Sequence, residues 1–251
     1  MLKYIFPQDK PISKELFRLS FPVILSNLSR VLMSVVDVAM VGRLGAAALA
    51  ATGMGAMLFW GALSLVIGIR TGVQTVASRR LGQKKYDQCG TALHNGLFMA
   101  TVYGFPMSIA GWWLAKDFIP FFINDIKATP LTIEYSSIVF LGILFSAYSF
   151  VFQGFYTGIE KTKIHMKVSI TSNIINVYLN AGLIYGSEGV KLFFSENAPA
   201  LTFLSYFWQW TAFPAMGVKG AAIATLVASL WMFVHYGAYL FSKQIKSRFA
   251  V

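Results

Sequence analysis

The sequence predicts an all-α, polytopic integral membrane protein, a bundle of six transmembrane helices, and three observations carry that expectation. Apolar residues make up 56% of the 251 and charged residues only 12%, with a mean hydropathy of +0.61, well outside the range of a soluble domain. Runs of about 20 apolar residues recur along the chain, each long enough to cross a ~30 Å hydrocarbon core as a helix. The runs are continuous rather than alternating, which argues against a transmembrane barrel of short strands, and a helix satisfies its own backbone hydrogen bonds in lipid.

The six expected spans are Leu16 to Val41, Leu49 to Gly72, Ala92 to Ala115, Tyr135 to Gly158, Val168 to Tyr185 and Gly217 to Phe241, all within one domain, residues 1–251. The first is not expected to be a signal peptide. Its apolar stretch is too long, it follows a polar-rich segment of about 18 residues, and the small residues after it, "GAAALAATG", lead straight into the second span. Arg70, late in the second span, is expected to reach the adjacent interface. The connection before the sixth span, "EGVKLFFSENAPALTFLSYFWQWTAFPAM", is unusually long and aromatic, and a short amphipathic helix on the membrane surface is expected there.

Basic residues separate cleanly between the two sides. The N-terminal tail (Lys3, Lys10, Lys14, Arg18), the loop "SRRLGQKK", the loop "EKTKIHMK" and the tail with Lys243, Lys246 and Arg248 hold 14 of the 21, whereas the other side holds Arg43, Lys116, Lys127, Lys191 and Lys219. Such a bias predicts a cytoplasmic (inner) membrane protein with both termini cytoplasmic, and it puts Trp112, Trp113, Trp208 and Trp210 in an outer interfacial belt. The net charge of +11 is then topological, and its division among four segments argues against nucleic acid as a partner. A single cysteine, Cys89, excludes an intrachain disulfide.

Within this frame "LMSVVDVAMVG" puts Asp37 about four residues, roughly 6 Å, inside the outer end of the first span. A carboxylate at that depth is costly unless it faces protein, water or a cation. It is either a functional site or an interfacial acid reaching for water. In "SNIINVYLNAGLIYG", Asn173, Asn176 and Asn180 fall at i, i+3 and i+7 on one helical face, with Asn180 near the depth of Asp37. Their amides suit either interhelical hydrogen bonding or the coordination of a hard monovalent cation. The sixth span opens with "MGVKGAAIATLVASLW", whose small residues permit close helix packing. Ala221 matches Asn180 in depth and Thr225 matches Asn176, so a carbonyl and a hydroxyl could complete an oxygen cage. Arg30, near the middle of the first span and about 10 Å from Asp37 along the axis, is expected to line a wet cavity or to snorkel.

Enzyme readings find little support. "RLGQKK" lacks Walker spacing, His94, His165 and His235 show no ligand pattern, and no nucleophile, base and orienting acid assemble; no cofactor is expected beyond a coupling ion.

Together, "FPVILSNLSRVLMSVVDVAMVGRLG", "GIRTGVQTVASRRLGQKK", "GFYTGIEKTKIHMKVSITSNIINVYLNAGLIYG" and "MGVKGAAIATLVASLW" resemble the multidrug and toxic compound extrusion (MATE) family. The resemblance covers nearly the whole chain and corresponds to that family's amino-terminal lobe, six of the usual twelve helices. It implies a cation-coupled antiporter that exports cationic or amphiphilic drugs against a sodium or proton gradient. By resemblance Asp37 is the cation-binding aspartate of the first helix and Pro22 its helix-bending proline. Asn176 and Asn180 are the polar pair of the fifth helix, and Ala221 and Thr225 the small residue and threonine of the sixth. Some relatives carry a second carboxylate where this chain has Asn180, so sodium and proton both remain open. A lipid or glycolipid flippase of the same superfamily, which would explain Arg30 through an anionic headgroup, and a non-transporting partner half are the alternatives. A parallel homodimer, or a heterodimer with a second half-transporter, is expected to form the substrate cavity.

Overall fold

The computed structural model describes residues 10–197 and 199–251, and Lys3 of the basic tail lies outside them. The described residues form nine α-helices rather than six, and no strand. Five are long: α1 (Lys10–Gly42), α2 (Ala46–Gly82), α3 (Tyr86–Phe118), α6 (Thr162–Asn197) and α8 (Val218–Leu240). The fourth expected span is a pair, α4 (Ala128–Leu141) and α5 (Ile143–Gly158), bent by 48°. Two short helices, α7 (Tyr206–Gln209) and α9 (Lys243–Phe249), complete the set. Among the described residues, four helices are long and apolar enough to cross a bilayer alone, and the bent pair makes a fifth. The fifth expected span lies in α6, which stands outside that group: its serine, threonine and asparagine residues lower its hydropathy, and it is packed between α1 and α8.

Each interruption is closed by a neighbouring element, as it must be where no water is available. At the α4–α5 bend, the Leu144 N–H donates to the Ser108 hydroxyl of α3 at 3.0 Å. Within α6, Gly186 adopts φ +74°, ψ 164°, a conformation that breaks the helical ladder and favours glycine. The Leu183 and Ile184 carbonyls beside the break then accept the N–H groups of Met216 (2.8 Å) and Gly217 (3.1 Å). Ser187, just after it, donates its N–H to the Phe213 carbonyl at 3.1 Å, and its hydroxyl accepts the Phe213 N–H at 2.8 Å. The connection before α8 is thereby stitched to the α6 break.

That connection differs from the surface helix expected of it. After Gly186, α6 continues to Asn197, and a 3-10 segment, Pro199–Ser205, leads into the single-turn α7. Trp208 turns inward, donating its indole N–H to the Tyr178 carbonyl at 2.7 Å and stacking on the Tyr178 ring. Tyr206, Phe207 and Trp210 remain exposed as membrane-facing aromatics would.

α2 is central to one half of the bundle, packed on α3, α4 and α5, while α8 joins α6 to α4 and α5. Leu63, Val66, Leu93, Ile143, Val151, Phe155, Tyr156 and Tyr236 are fully buried between them. Cys89 is part of this core, its thiol against the Ala77 carbonyl. α1 lies along α6 and barely touches α2. Its other faces expose Phe17, Ile24, Leu28, Val31, Leu32 and Val35. Arg18, Lys161, Lys163 and Arg248 converge on one pocket at one end of the bundle, with Ile245 and Phe249 of α9 buried beneath, so the N-terminal, middle and C-terminal basic segments share that end.

α6 and α8 approach closely at Gly220, where an added β-carbon would overlap the Leu183 backbone carbonyl, a group with no freedom to rotate away. Gly237 of the same helix faces open space. Gly220→Ala is therefore expected to destabilise the protein by about 1–3 kcal/mol and Gly237→Ala not to destabilise it, as read by thermal unfolding in detergent.

Candidate functional site

Three side-chain bonds run along the α1–α6 seam. Asn173 donates to the Ser29 hydroxyl at 2.7 Å, Asn180 donates to the Asp37 carboxylate at 2.6 Å, and the Tyr185 hydroxyl donates to the Met40 carbonyl at 2.5 Å. The amide nitrogen of Asn180 also donates to the Asn176 carbonyl oxygen at 3.0 Å. This arrangement fixes the Asn180 amide, because turning it over would press its carbonyl oxygen against a carboxylate. Its Oδ1 consequently faces a buried position with no donor. An acceptor left without a donor beside an acid is an electron-rich site that an electropositive guest would satisfy.

The space between α1, α2, α6 and α8 is divided into two cavities. The larger, about 520 Å³, opens toward the end away from the basic pocket and is lined by Asn180, Ala221 and Tyr135 among others. The smaller, about 240 Å³, lies toward the basic end and is lined by Asn173, Asn176, Gln153 and His165. Six residues line both: Arg30, Met33, Asp37, Phe59, Trp60 and Thr225. Asp37 thus stands at the waist, accessible from either side.

Of the residues singled out by sequence, Asp37, Asn176 and Asn180 are joined by hydrogen bonds, and Ala221 and Thr225 share the larger cavity with Asp37 and Asn180. The Thr225 hydroxyl donates to the Ala221 carbonyl at 3.0 Å. Pro22 is buried within α1, which continues through it, and its carbonyl accepts the Ser26 hydroxyl at 2.7 Å. Arg30 lines both cavities, donates to Asn27 at 3.2 Å and lies over the Trp60 ring.

Arg70 does not reach for the interface as expected. It turns into the bundle and donates to the Gln153 carbonyl oxygen at 3.2 Å. That bond decides a chain of assignments. With its oxygen on Arg70, Gln153 must present its amide nitrogen to His165 Nε2, 2.9 Å away, which makes Nε2 an acceptor. In the neutral ring Nδ1 then carries the proton and donates to the Tyr236 hydroxyl at 2.6 Å. Gln153, an amide inside the apolar run "FVFQGFYTG", was the sequence signal for this network. Tyr135, buried in the wall of the larger cavity, left none, because a tyrosine at the start of a span reads as interfacial.

The helices thus surround two largely apolar cavities that meet at a half-buried carboxylate, Asp37. The chain belongs to the MatE family, whose model matches residues 22–181. It is similar to the probable multidrug resistance protein NorM of Photorhabdus laumondii, 31% identical over 179 residues that cover 70% of this chain and 39% of that protein. The NorM of Thermotoga maritima is 24% identical over 229 residues, 90% of this chain and 44% of its own length. In fold it resembles a MOP superfamily transporter from Pyrococcus furiosus, and also an outward-facing multidrug resistance MATE family transporter, each with a TM-score of 0.76 at 22% identity, covering 92% of this chain and 45% of the other. The chain spans about half the length of the curated relatives it matches.

Removing the Asn180 amide would leave the Asp37 carboxylate without its side-chain donor. Asn180→Ala is expected to cost about 1–2 kcal/mol of stability, and less in an Asp37→Asn background, where no charge is stranded; a double-mutant cycle by thermal unfolding in detergent measures the difference.

Proposed function

We propose that this chain is one lobe of a secondary active transporter, a cation-coupled antiporter that exports organic, cationic or amphiphilic compounds, with Asp37 as its coupling site. The observation that carries the reading is the position of Asp37 where the two cavities meet, bonded to an amide whose own carbonyl oxygen has no donor. A carboxylate there exchanges its charge for a proton or a sodium ion, and Asn176, Asn180, Ala221 and Thr225 offer the neutral oxygens around it. When Asp37 is neutralised, the amide of Asn180 loses its reason to hold one orientation, and the α1–α6 seam loosens at that rung. Pro22 removes one backbone hydrogen bond from α1, which makes bending there inexpensive. A helix held to its neighbour by a charge-dependent bond and hinged at a proline can alternate between two positions as the ion binds and leaves.

The basic end is read as cytoplasmic, with both termini on that side. The weak contact between α1 and α2 and the exposed apolar faces of α1 favour a second six-helix lobe across the cavities, either another copy in a parallel homodimer or a separate half. Mass measurement in mild detergent is expected to return twice the 27.8 kDa of the chain, and transport undiminished at one chain per liposome would remove the homodimer.

Export of a fluorescent organic cation from proteoliposomes, driven in turn by a sodium and a pH gradient, tests the function and identifies the ion. Asp37→Asn is expected to abolish gradient-driven export while leaving the fold intact; wild-type transport in that variant would sink the assignment. Asn176→Ala, Asn180→Ala and Thr225→Val each remove one neutral oxygen, and each should weaken apparent ion affinity about 5–10-fold.

A further inference from the structure

The acid at the waist accounts for one charge at membrane depth, and two more are unaccounted for: Arg30, which is exposed along the open side of the cavities, and the half-buried Arg70. Arg30 lies 12 residues, about 18 Å, from the end of α1 at Gly42, and 14 residues, about 21 Å, from Leu16. It is therefore too deep to be treated as interfacial. Arg70 is turned into the bundle by its bond to Gln153. Among the described residues the ion pairs are Arg18 with Glu15 and Lys219 with Glu134, so neither deep arginine has a carboxylate partner. Unpaired cations at membrane depth are costly and are retained where they meet a ligand or water.

Their placement is organised around one aromatic pair. The Arg30 guanidinium lies 5.9 Å from the Trp60 ring centroid, Trp60 meets Phe150 edge-on at 6.2 Å, and the Arg70 guanidinium lies 5.9 Å from the Phe150 centroid. Trp60, Phe150, Arg30 and Gln153 all line the smaller cavity. Arg30 uses one donor on Asn27, leaving most of its five N–H groups free. The Nε of Arg70 is buried with no acceptor at all. Gln153, which lines the smaller cavity, is held between Arg70 and His165, and those two bonds leave one of its amide hydrogens uncommitted.

We propose that the smaller cavity contains an oxyanion subsite for a phosphate group carried by an amphiphilic substrate, with Arg30 as the contacting cation and Arg70 as a positioning residue that holds Gln153 and adds positive charge behind it. Phosphate fits because the Arg30 guanidinium, with its surplus donors, matches a group with several charged acceptor oxygens and recognises it in a planar, two-pronged manner, while Arg70 adds charge from behind the cavity wall. The volume, about 240 Å³, suits a headgroup rather than a whole amphiphile, whose remainder would extend into the larger cavity. Asp37, about 10 Å away along α1, repels the phosphate from the ion site and sets the orientation of the substrate, anion toward the basic end. The proposal rests on the reading of the two cavities as the transport path.

The test is calorimetric titration of the purified full chain in mild detergent with dihexanoyl phosphatidic acid, with inorganic phosphate, and with dihexanoylglycerol, which lacks the phosphate. Dihexanoyl phosphatidic acid should bind and dihexanoylglycerol should bind at least about tenfold more weakly. Arg30→Gln should weaken the phosphate probe about tenfold or more, Arg70→Gln about threefold to tenfold, and Arg30→Lys should retain part of the affinity, which separates lost charge from lost fold. Asp37→Asn removes a carboxylate that lines the same cavity and should tighten binding of the phosphate probe. If inorganic phosphate binds with the same dependence on Arg30, the subsite takes soluble phosphate compounds; if only phosphatidic acid does, it takes a lipid headgroup. The subsite is overturned if neither phosphate probe binds, or if folded Arg30→Gln binds as tightly as the wild type. Arg30-dependent binding without gradient-driven export would sink the export reading alone, and export without such binding would sink the subsite alone.

Discussion

Lipid supplies no hydrogen bonds, and that single constraint explains most of the irregular geometry in this bundle. The α4–α5 bend exists because Ser108 on α3 can take the Leu144 N–H, and the α6 break exists because residues 213–217 can replace the bonds it removes. The same constraint governs side chains. Asn173 and Asn180 of α6 each find a partner on α1 while Asn176 braces Asn180 from within α6, and the seam they form ties a helix that barely touches α2 to the rest of the lobe. Interhelical bonds of this kind are individually modest, about 1 kcal/mol, so the seam is held without being locked.

Much of this was legible in the sequence because membrane solvation writes a coarse signal. Apolar runs marked each of the long helices; in α6 the expected span "VSITSNIINVYLNAGLIY" ends at the break at Gly186, whereas the helix starts six residues before that span, at Thr162. Asp37 and the Asn173, Asn176 and Asn180 stripe stood out because polar groups at depth are expensive, and an expensive residue invites a question about its partner. Depth could be counted in residues, which put Asn180 near the level of Asp37; that the two side chains meet is a matter of how α1 and α6 are placed side by side.

What was not legible depended on azimuth rather than depth. Nothing in the sequence says which way Arg70 points, and a long side chain near the end of a span has two low-cost choices. The structure resolves it through Gln153, a residue that carries no charge and so drew no attention. Tyr135 was hidden for a related reason, since its ring is apolar enough to belong anywhere along a span. The cavities themselves, and the fact that Arg30 and Asp37 line both, arise from how loosely α1 meets α2, a relation between helices that no single segment encodes.

The polar stripe of α6 also bears on how the chain is made. Polar side chains at membrane depth are costly without a partner, and synthesis from the N-terminus means that α1 precedes α6 into the bilayer, whereas α8 follows it. Of the partners seen in the folded chain, Ser29 and Asp37 are the ones that α1 has in place before α6 is made. The side chains that hold the seam in the finished lobe are thus also the ones on α1 able to satisfy the amides of α6 as it enters the bilayer, so the order of synthesis and the final pairing favour the same residues.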